Sequence, residues 1–564
     1  MIGKEYEELS LLKEPPFTAA DRMLVAHLRD DWGESNSWIL LAAALANLSA
    51  REGHAFFDLG LPRGAGVSLP RSWPDLSHWE KILANSPVAR SETDAGCKPL
   101  VLCSGTALYL EKYYAFEQSL AKLIAQRCEP DSTEEIAEPA ERAAKRKFFV
   151  ITGGPGTGKT TLALRYLNTL LDKWELSRPP RFAAIAPTGK AAARLAESIA
   201  SGVARLELAS DREEALLGIP CLTIHRLLGA LPHRTSFRKN SRHPLRFDTL
   251  VIDESSMIDL PLMLRLFEAL PSDCQVLLLG DKDQLSSVDV GSVLADMLAA
   301  SELEGSPLSS SVLRLTKTYR FSEDSGIYQA CQLARDGDSE GFSEMLDSGR
   351  EDFEFHALRD DAKRIPKAAL SRSFLRYKGI ANSTTPEEGL LALNEGITLT
   401  PTRRGAFGSL EFNRLVERMI RQEQNLDPLS TQSIHGAPII VLENDYELEL
   451  YNGDLGLVWI DEISGIAFAF FGGADGVTRK FRLSELPRHE SAFALTIHKS
   501  QGSEFLETVC LFAPEADRNL TRELVYTAFS RAKERLVVFA EKTTLSSAIG
   551  RQAFRATRLA ELLA

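Results

Sequence analysis

Phe148-Phe-Val-Ile-Thr152, running directly into Gly153-Gly-Pro-Gly-Thr-Gly-Lys-Thr160, is the stretch that decides the fold. Its first half is a short, nearly all-apolar run, as expected of a strand covered on both faces. Its second half fits G-x-x-x-x-G-K-[ST] and leads into a helical pattern, the strand–loop–helix setting in which this motif cradles phosphates. Glycines let backbone N–H groups wrap an anion, and the following helix N-terminus adds partial positive charge. Gly153, Gly154, Pro155, Gly156, Thr157, Gly158, Lys159, Thr160 and Thr161 are therefore candidate nucleotide contacts. Lys159 is placed to reach the β- and γ-phosphates of ATP, and the Thr160 hydroxyl to hold Mg²⁺.

Working outward, Ala183–Ala186, Thr249–Ile252 and Gln275–Leu279 repeat the pattern of a short apolar strand ending in a polar loop. Such alternation predicts an α/β protein with a parallel sheet, helices on both faces and the ligand at the strands' carboxyl ends. Asp253-Glu254 closes the Thr249–Ile252 strand. Asp253 is placed to bind Mg²⁺, and Glu254 to position and deprotonate the attacking water. Gln284, after the next strand, is the candidate γ-phosphate sensor. Arg320 (in Tyr319-Arg-Phe) and Arg531 are candidates to stabilise charge on the transferring phosphoryl group. An isolated arginine more often makes a surface ion pair; the surrounding motifs favour the catalytic reading.

A second α/β stretch follows residue 340, with strands expected at Ile397–Leu399, Thr508–Ala513 and Arg535–Phe539. Between about 433 and 490 the texture changes to short β-rich runs, Pro438–Leu442, Leu455–Ile460 and Ile466–Phe471, with Asn452-Gly453 as a hairpin signal. These runs predict a small inserted β-barrel. Residues 1–115 read as helical, with Trp38–Ala46 as a buried helix, and 128–146 as a connection into the phosphate-loop domain.

The chain has 564 residues, 44% apolar and 25% charged, so several domains with ample core are expected. No apolar run approaches the ~20 residues of a membrane span, and the acidic start Met1-Ile-Gly-Lys-Glu has no signal-peptide character. Seven scattered cysteines with no Cys-x-x-Cys pair argue against zinc and disulfides and fit a reducing cytoplasm. The net charge of −13 counts mildly against nucleic acid, but binding a strand requires a positive groove rather than a positive surface.

The order of the motifs resembles superfamily 1 helicases. Ala186-Pro-Thr-Gly-Lys-Ala-Ala-Ala-Arg194 is similar to motif Ia, Thr223–Leu228 to Ib and Asp253–Asp259 to II. Gly280–Gln284 is similar to motif III, Tyr319-Arg-Phe to IV, Leu495–Phe505 to V and Arg522–Lys533 to VI. The wording, including Tyr451-Asn-Gly-Asp454, resembles the RecD family most closely. That resemblance implies two RecA-like domains at 116–340 and 341–564, the second carrying an SH3-like insertion, and nucleotide contacts from Tyr319, Gly502 and Glu504. It implies 5′→3′ travel on single-stranded DNA, action at duplex ends, RecB-like and RecC-like partners, a docking role for residues 1–115, and a place in double-strand break repair and recombination. One departure stands out: no glutamine lies between 127 and 152, where related helicases carry an adenine-reading Gln and this chain has Ile136 and its neighbours. Tyr319 is then the candidate to stack on the base.

Motifs Ia, Ib and V offer Pro187, Thr188, His225, Thr496, His498 and Lys499 to the DNA backbone; for the histidines, packed core positions are the ordinary alternative. The acid-free run 233–246 adds Arg234, Arg238, Lys239, Arg242 and Arg246 as a basic loop. Phe407 and Phe412 could stack on bases, although core packing suits them better. The 33 residues after Arg531 are far fewer than the ~100 of another domain, so no nuclease is expected there. Three other readings remain open at this level: a stand-alone DNA helicase, an RNA helicase, and an assembly subunit with a vestigial ATPase.

Overall fold

The computed structural model describes residues 7–60, 73–128, 138–174, 178–206, 208–231, 236–346, 349–427, 432–445, 447–461, 463–472, 477–514 and 520–564. Ile136, His233 and Arg234 lie outside the described residues.

The N-terminal stretch is not purely helical. Strands β1 (Phe56–Asp58), β2 (Ala89–Ser91), β3 (Leu100–Cys103) and β4 (Ala107–Leu110) form a four-stranded sheet in the order β1-β4-β3-β2. These strands are three or four residues long, too short for a period-2 pattern to register. The apolar run Trp38–Ala46 lies in the helix Ser37–Arg51, whose Asn36 cap accepts from Trp38 N at 3.0 Å. That helix is buried along most of its length, so its sequence is apolar all round rather than amphipathic.

The first motor domain is a parallel six-stranded sheet made of β5 (Phe148–Gly153), β6 (Phe182–Ala186), β7 (Cys221–Thr223), β8 (Thr249–Ile252), β9 (Gln275–Gly280) and β10 (Val312–Leu315). The order β10-β5-β9-β8-β6-β7 places the phosphate-loop strand between β10 and β9. Thr152 pairs with Gly280 and Leu315 with Gly153. The register therefore brings the phosphate loop, Asp281 and the segment leading to Tyr319-Arg320 to one edge. The helix Pro139–Ala144, in the stretch read as a connection, buries Ala140, Ala143 and Ala144 in this domain's core.

The second motor domain is also a parallel sheet, of β11 (Phe353–Ala357), β12 (Gly396–Thr400), β18 (Ala494–Thr496), β19 (Phe505–Leu511) and β20 (Ala532–Ala540), ordered β11-β20-β19-β12-β18. Phe505 pairs with Ala532, so Glu504 and Arg531, each one residue before its strand, lie side by side. Where the sequence predicts a small inserted β-barrel, the structure has a five-stranded antiparallel sheet in the order β16-β15-β14-β13-β17: β13 (Pro438–Val441), β14 (Leu455–Ile460), β15 (Ala467–Gly472), β16 (Thr478–Arg482) and β17 (His489–Ser491). Asn452-Gly453 does not join two strands directly. It closes the far end of the excursion between β13 and β14, where Gly453 (φ +98°) donates to Val441 O at 2.9 Å. Phe407 and Phe412 are buried in the core and offer no stacking face.

The last residues leave the second motor. Ala55 N donates to Ala556 O at 2.7 Å, Thr557 Oγ1 to Asp296 Oδ1 at 2.8 Å, and Arg558 pairs with Glu92 at 2.9 Å. Leu559 and Leu563 are buried in the core that the first motor shares with the N-terminal region. Among the described residues no helix is long and apolar enough to cross a membrane.

Candidate nucleotide and nucleic-acid sites

The phosphate loop is built by backbone that only glycine adopts readily. Gly156 (φ +72°) and Gly158 (φ +86°) are left-handed, and Gly158 caps the helix Lys159–Asp172. A Cβ on Gly156 would also meet Arg320 Cβ at 2.5 Å, so the loop and the Tyr319-Arg320 segment fit only without a side chain there. Lys159 Nζ donates to Gly153 O at 2.5 Å and Gly154 O at 3.0 Å, which holds the ammonium inside the loop.

The loop opens on a cleft of about 520 Å³ between the two motor domains. From the first domain it is lined by Pro155 through Thr161, Asp253, Glu254, Gln284 and Arg320, and from the second by Gly502, Glu504 and Arg531. Glu254 holds φ +50°, a costly conformation for a non-glycine residue that is typical of functional sites. Its backbone N–H donates to Asp253 Oδ1 at 2.8 Å. Burial first, and then the adjacent Glu254 charge, push the Asp253 carboxyl above the usual carboxylate range. The two acids thus form a destabilised negative pair that a cation would relieve.

Arg531 is buried and is not a surface ion pair. Its Nε donates to Thr527 O at 2.9 Å and its Nη2 to Ser530 Oγ at 3.0 Å. Burial works against its charge, and the carboxylates of Glu254 and Glu504 offset that effect. Glu504 sits among three cations: Arg320 at 2.6 Å, Lys533 at 3.6 Å and Arg194 at 3.7 Å. Arg320 uses Nη2 for Glu504, while its Nη1 is buried with no hydrogen-bond partner among the described residues. Such an orphaned guanidinium nitrogen is costly unless an anion completes it. Sequence reasoning missed Arg194 and Lys533 as cleft-lining residues, although both stand in the quoted runs. Tyr319 is 74% exposed beside the loop, tied by its backbone N–H to Gly156 O at 2.8 Å. Lys317 Nζ stands 5.4 Å from the centroid of its ring.

The DNA candidates separate into engaged and open groups. Thr188 caps the helix Gly189–Val203 by accepting from Ala191 N at 3.2 Å, and Thr496 accepts from Lys499 N at 3.4 Å. Pro187 is half-buried where that helix begins. His225 and His498 are exposed rather than packed in the core. Lys499 is occupied by Glu490 at 2.6 Å, a carboxylate it shares with Arg403. Arg238 N and Lys239 N donate to Gly229 O and Leu228 O, folding the described part of the basic loop back onto the helix Ile224–Leu228. Arg238 is exposed there, Lys239 half-buried. A cleft of about 320 Å³ lies between this region and the insertion, lined by Arg226, Tyr451 and Arg479 among others, which sequence reading did not single out as contacts.

The family described as AAA domain matches residues 137–290, and the UvrD-like helicase C-terminal domain matches 491–539. The RecBCD enzyme subunit RecD of Mycobacterium tuberculosis is 37% identical over 93% of this chain and 91% of its own length. This chain belongs to the RecD family. The RecD subunit of Haemophilus influenzae is 33% identical over 80% of this chain and 75% of its own length. The ATP-dependent RecD2 DNA helicase of Deinococcus radiodurans is 28% identical over 98% and 72%. A solved Pif1 helicase of Bacteroides bound to single-stranded DNA is 20% identical, covers 73% of this chain and 94% of its own length, and has a TM-score of 0.39. A member of the RecD family with the AAA and UvrD-like helicase domains is an ATP-dependent DNA helicase.

Proposed function

We propose that this RecD protein converts ATP-driven closure of its two motor domains into 5′→3′ travel on single-stranded DNA. It would act as the RecD-like subunit beside RecB-like and RecC-like partners, loading at duplex ends. Residues 1–115 would supply the docking module. The observation that carries the motor reading is the convergence of Lys159 and Arg320 from one domain with Arg531 from the other on one cleft, with Arg320 Nη1 lacking an acceptor among the described residues. Cations from both sides make closure depend on a polyanion between them.

Thr160 and Asp253 fit Mg²⁺: both offer oxygen, the donor type that ion prefers, and burial with the adjacent Glu254 charge outweighs the help that Lys159 gives the Asp253 carboxylate. When bound, the ion supplies charge neutralisation for the phosphates. Lys159 and the loop N–H groups hold the β- and γ-phosphates. Glu254 orients the attacking water and takes its proton, while Arg320 and Arg531 stabilise the charge that develops on the transferring group. Gln284 reads the γ-phosphate, and Tyr319 stacks on the base. Pro187, Thr188, His225, Thr496, His498 and Lys499, with Arg238 and Lys239, contact the strand through phosphates and so remain sequence-neutral.

The test is unwinding of duplexes with a 5′ or a 3′ single-stranded tail, with ATP and Mg²⁺. Strand release from the 5′-tailed substrate supports the reading; release from the 3′-tailed substrate alone would reverse the assigned direction.

A further inference from the structure

The loop Gly280–Leu285, which carries the proposed γ-phosphate sensor, is gripped from the second motor. Tyr526, on the helix Arg522–Phe529, donates its hydroxyl to Asp281 Oδ2 at 2.9 Å. Thr527 Oγ1 accepts from Leu285 N at 2.9 Å, and Gln501 Nε2 donates to Leu285 O at 3.2 Å. Asp281 is buried, and burial works against its charge more than the nearby Lys159 favours it. Its Oδ2 takes two donors, Tyr526 and the Gln284 amide nitrogen at 3.0 Å, while Oδ1 accepts from Asp283 N at 3.1 Å.

Asp281 Oδ2 accepts from both the Tyr526 hydroxyl and the Gln284 amide nitrogen, so Asp281 fixes which way the Gln284 amide faces. The nitrogen turns to Asp281. The amide oxygen has no hydrogen bond among the described residues, on a side chain that lines the nucleotide cleft. The Tyr526 hydroxyl also lies 2.9 Å from where a Cβ on Gly154 would stand, so it is wedged between the phosphate loop and the sensor loop. Sliding the second motor away would withdraw Tyr526 and leave Asp281 with one fewer donor for a buried charge.

We propose that Tyr526 is a positioning residue for ATP hydrolysis: through Asp281 it sets the orientation of the Gln284 amide, so the sensor is correctly aimed only while the second motor is docked. This rests on the ATPase reading above and adds the element that makes hydrolysis sensitive to the position of the other domain. It touches neither nucleotide nor DNA itself.

The test is steady-state ATP hydrolysis by the full chain with a saturating dT oligonucleotide, comparing wild type, Tyr526→Phe, Asp281→Asn and Lys159→Ala. Tyr526→Phe keeps the ring and removes only the hydroxyl, and Asp281→Asn removes the acceptor-only character that fixes the amide. Both should lower kcat about tenfold or more, the range expected for losing a hydrogen bond to a charged group. KM for ATP, DNA affinity and Tm should stay within about twofold or a few degrees. An unchanged kcat in Tyr526→Phe would overturn the proposal, as would a raised KM at constant kcat, which belongs to a nucleotide contact. Wild-type turnover lost only in Lys159→Ala would leave the ATPase reading standing and sink this inference alone. Absence of wild-type turnover would overturn both.

Discussion

Glu504→Gln separates the electrostatic role of the cleft from its catalytic one. The carboxylate holds Arg320 at 2.6 Å, with Lys533 and Arg194 within 4 Å, in a cleft that also contains Lys159 and Arg531. Glutamine preserves the shape and removes one negative charge from a site built for a polyanion. At a separation of about 6 Å and an effective dielectric of about 20, that charge repels a single phosphate charge by about 3 kcal/mol. The cleft is open to solvent and salt, so about 1 to 1.5 kcal/mol should survive, a five- to tenfold effect. The variant should therefore bind ADP and ATP five to ten times more tightly at low salt, with the gain shrinking as salt rises. Turnover should fall, because Arg320 loses its charge-assisted anchor and product release slows. Titration of a fluorescent nucleotide at two salt concentrations measures this directly. Weaker binding would refute the reasoning: Glu504 would then be contacting the nucleotide favourably rather than neutralising the cations around it.

Three further outcomes follow from the geometry. Burial pushes Glu117 up to about 7 from 4.5, beside Tyr109 at 2.7 Å and the Arg558 N–H at 3.2 Å. The folded chain then holds a proton that the unfolded chain releases, so stability should decline as pH rises from about 4.5 to about 7 and level off above, by at most about 3 kcal/mol; Glu117→Gln should flatten that slope in melting curves, and an unaltered slope would contradict the assignment. Arg238→Ala with Lys239→Ala should weaken single-stranded DNA binding and reduce the slope of log affinity against log salt by about 1.4, two phosphate contacts' worth, whereas an unchanged slope would remove the basic loop from the interface. Glu490→Gln should release Lys499 and Arg403 and tighten single-stranded DNA binding by about threefold at low salt; no change would place Lys499 off the strand path.

The motor was legible because its chemistry is local in sequence. Phosphate loop, Asp253-Glu254 and Gln284 each sit at the end of an apolar strand, and the parallel register converts that sequence pattern into one edge of a sheet. Of the second motor's contributions, Arg531 was readable against the surrounding motifs and Glu504 only through motif resemblance, because what unites the two is a long-range pairing of Phe505 with Ala532. The four short N-terminal strands left no periodic trace. The return of residues 555–563 onto the first motor was invisible because it depends on side chains hundreds of positions apart, such as Arg558 and Glu92. The burden on Lys499 was hidden for a similar reason: its partner Glu490 lies on the inserted sheet, which a motif-by-motif reading treats separately.

The central claim is tested most directly by ATP hydrolysis of the purified chain without polymer, with single-stranded DNA and with single-stranded RNA, alongside Lys159→Ala. The account predicts turnover stimulated by DNA, weaker or no stimulation by RNA, and loss of turnover in the variant. Equal stimulation by RNA would contradict the DNA assignment, and turnover that survives Lys159→Ala would contradict the site.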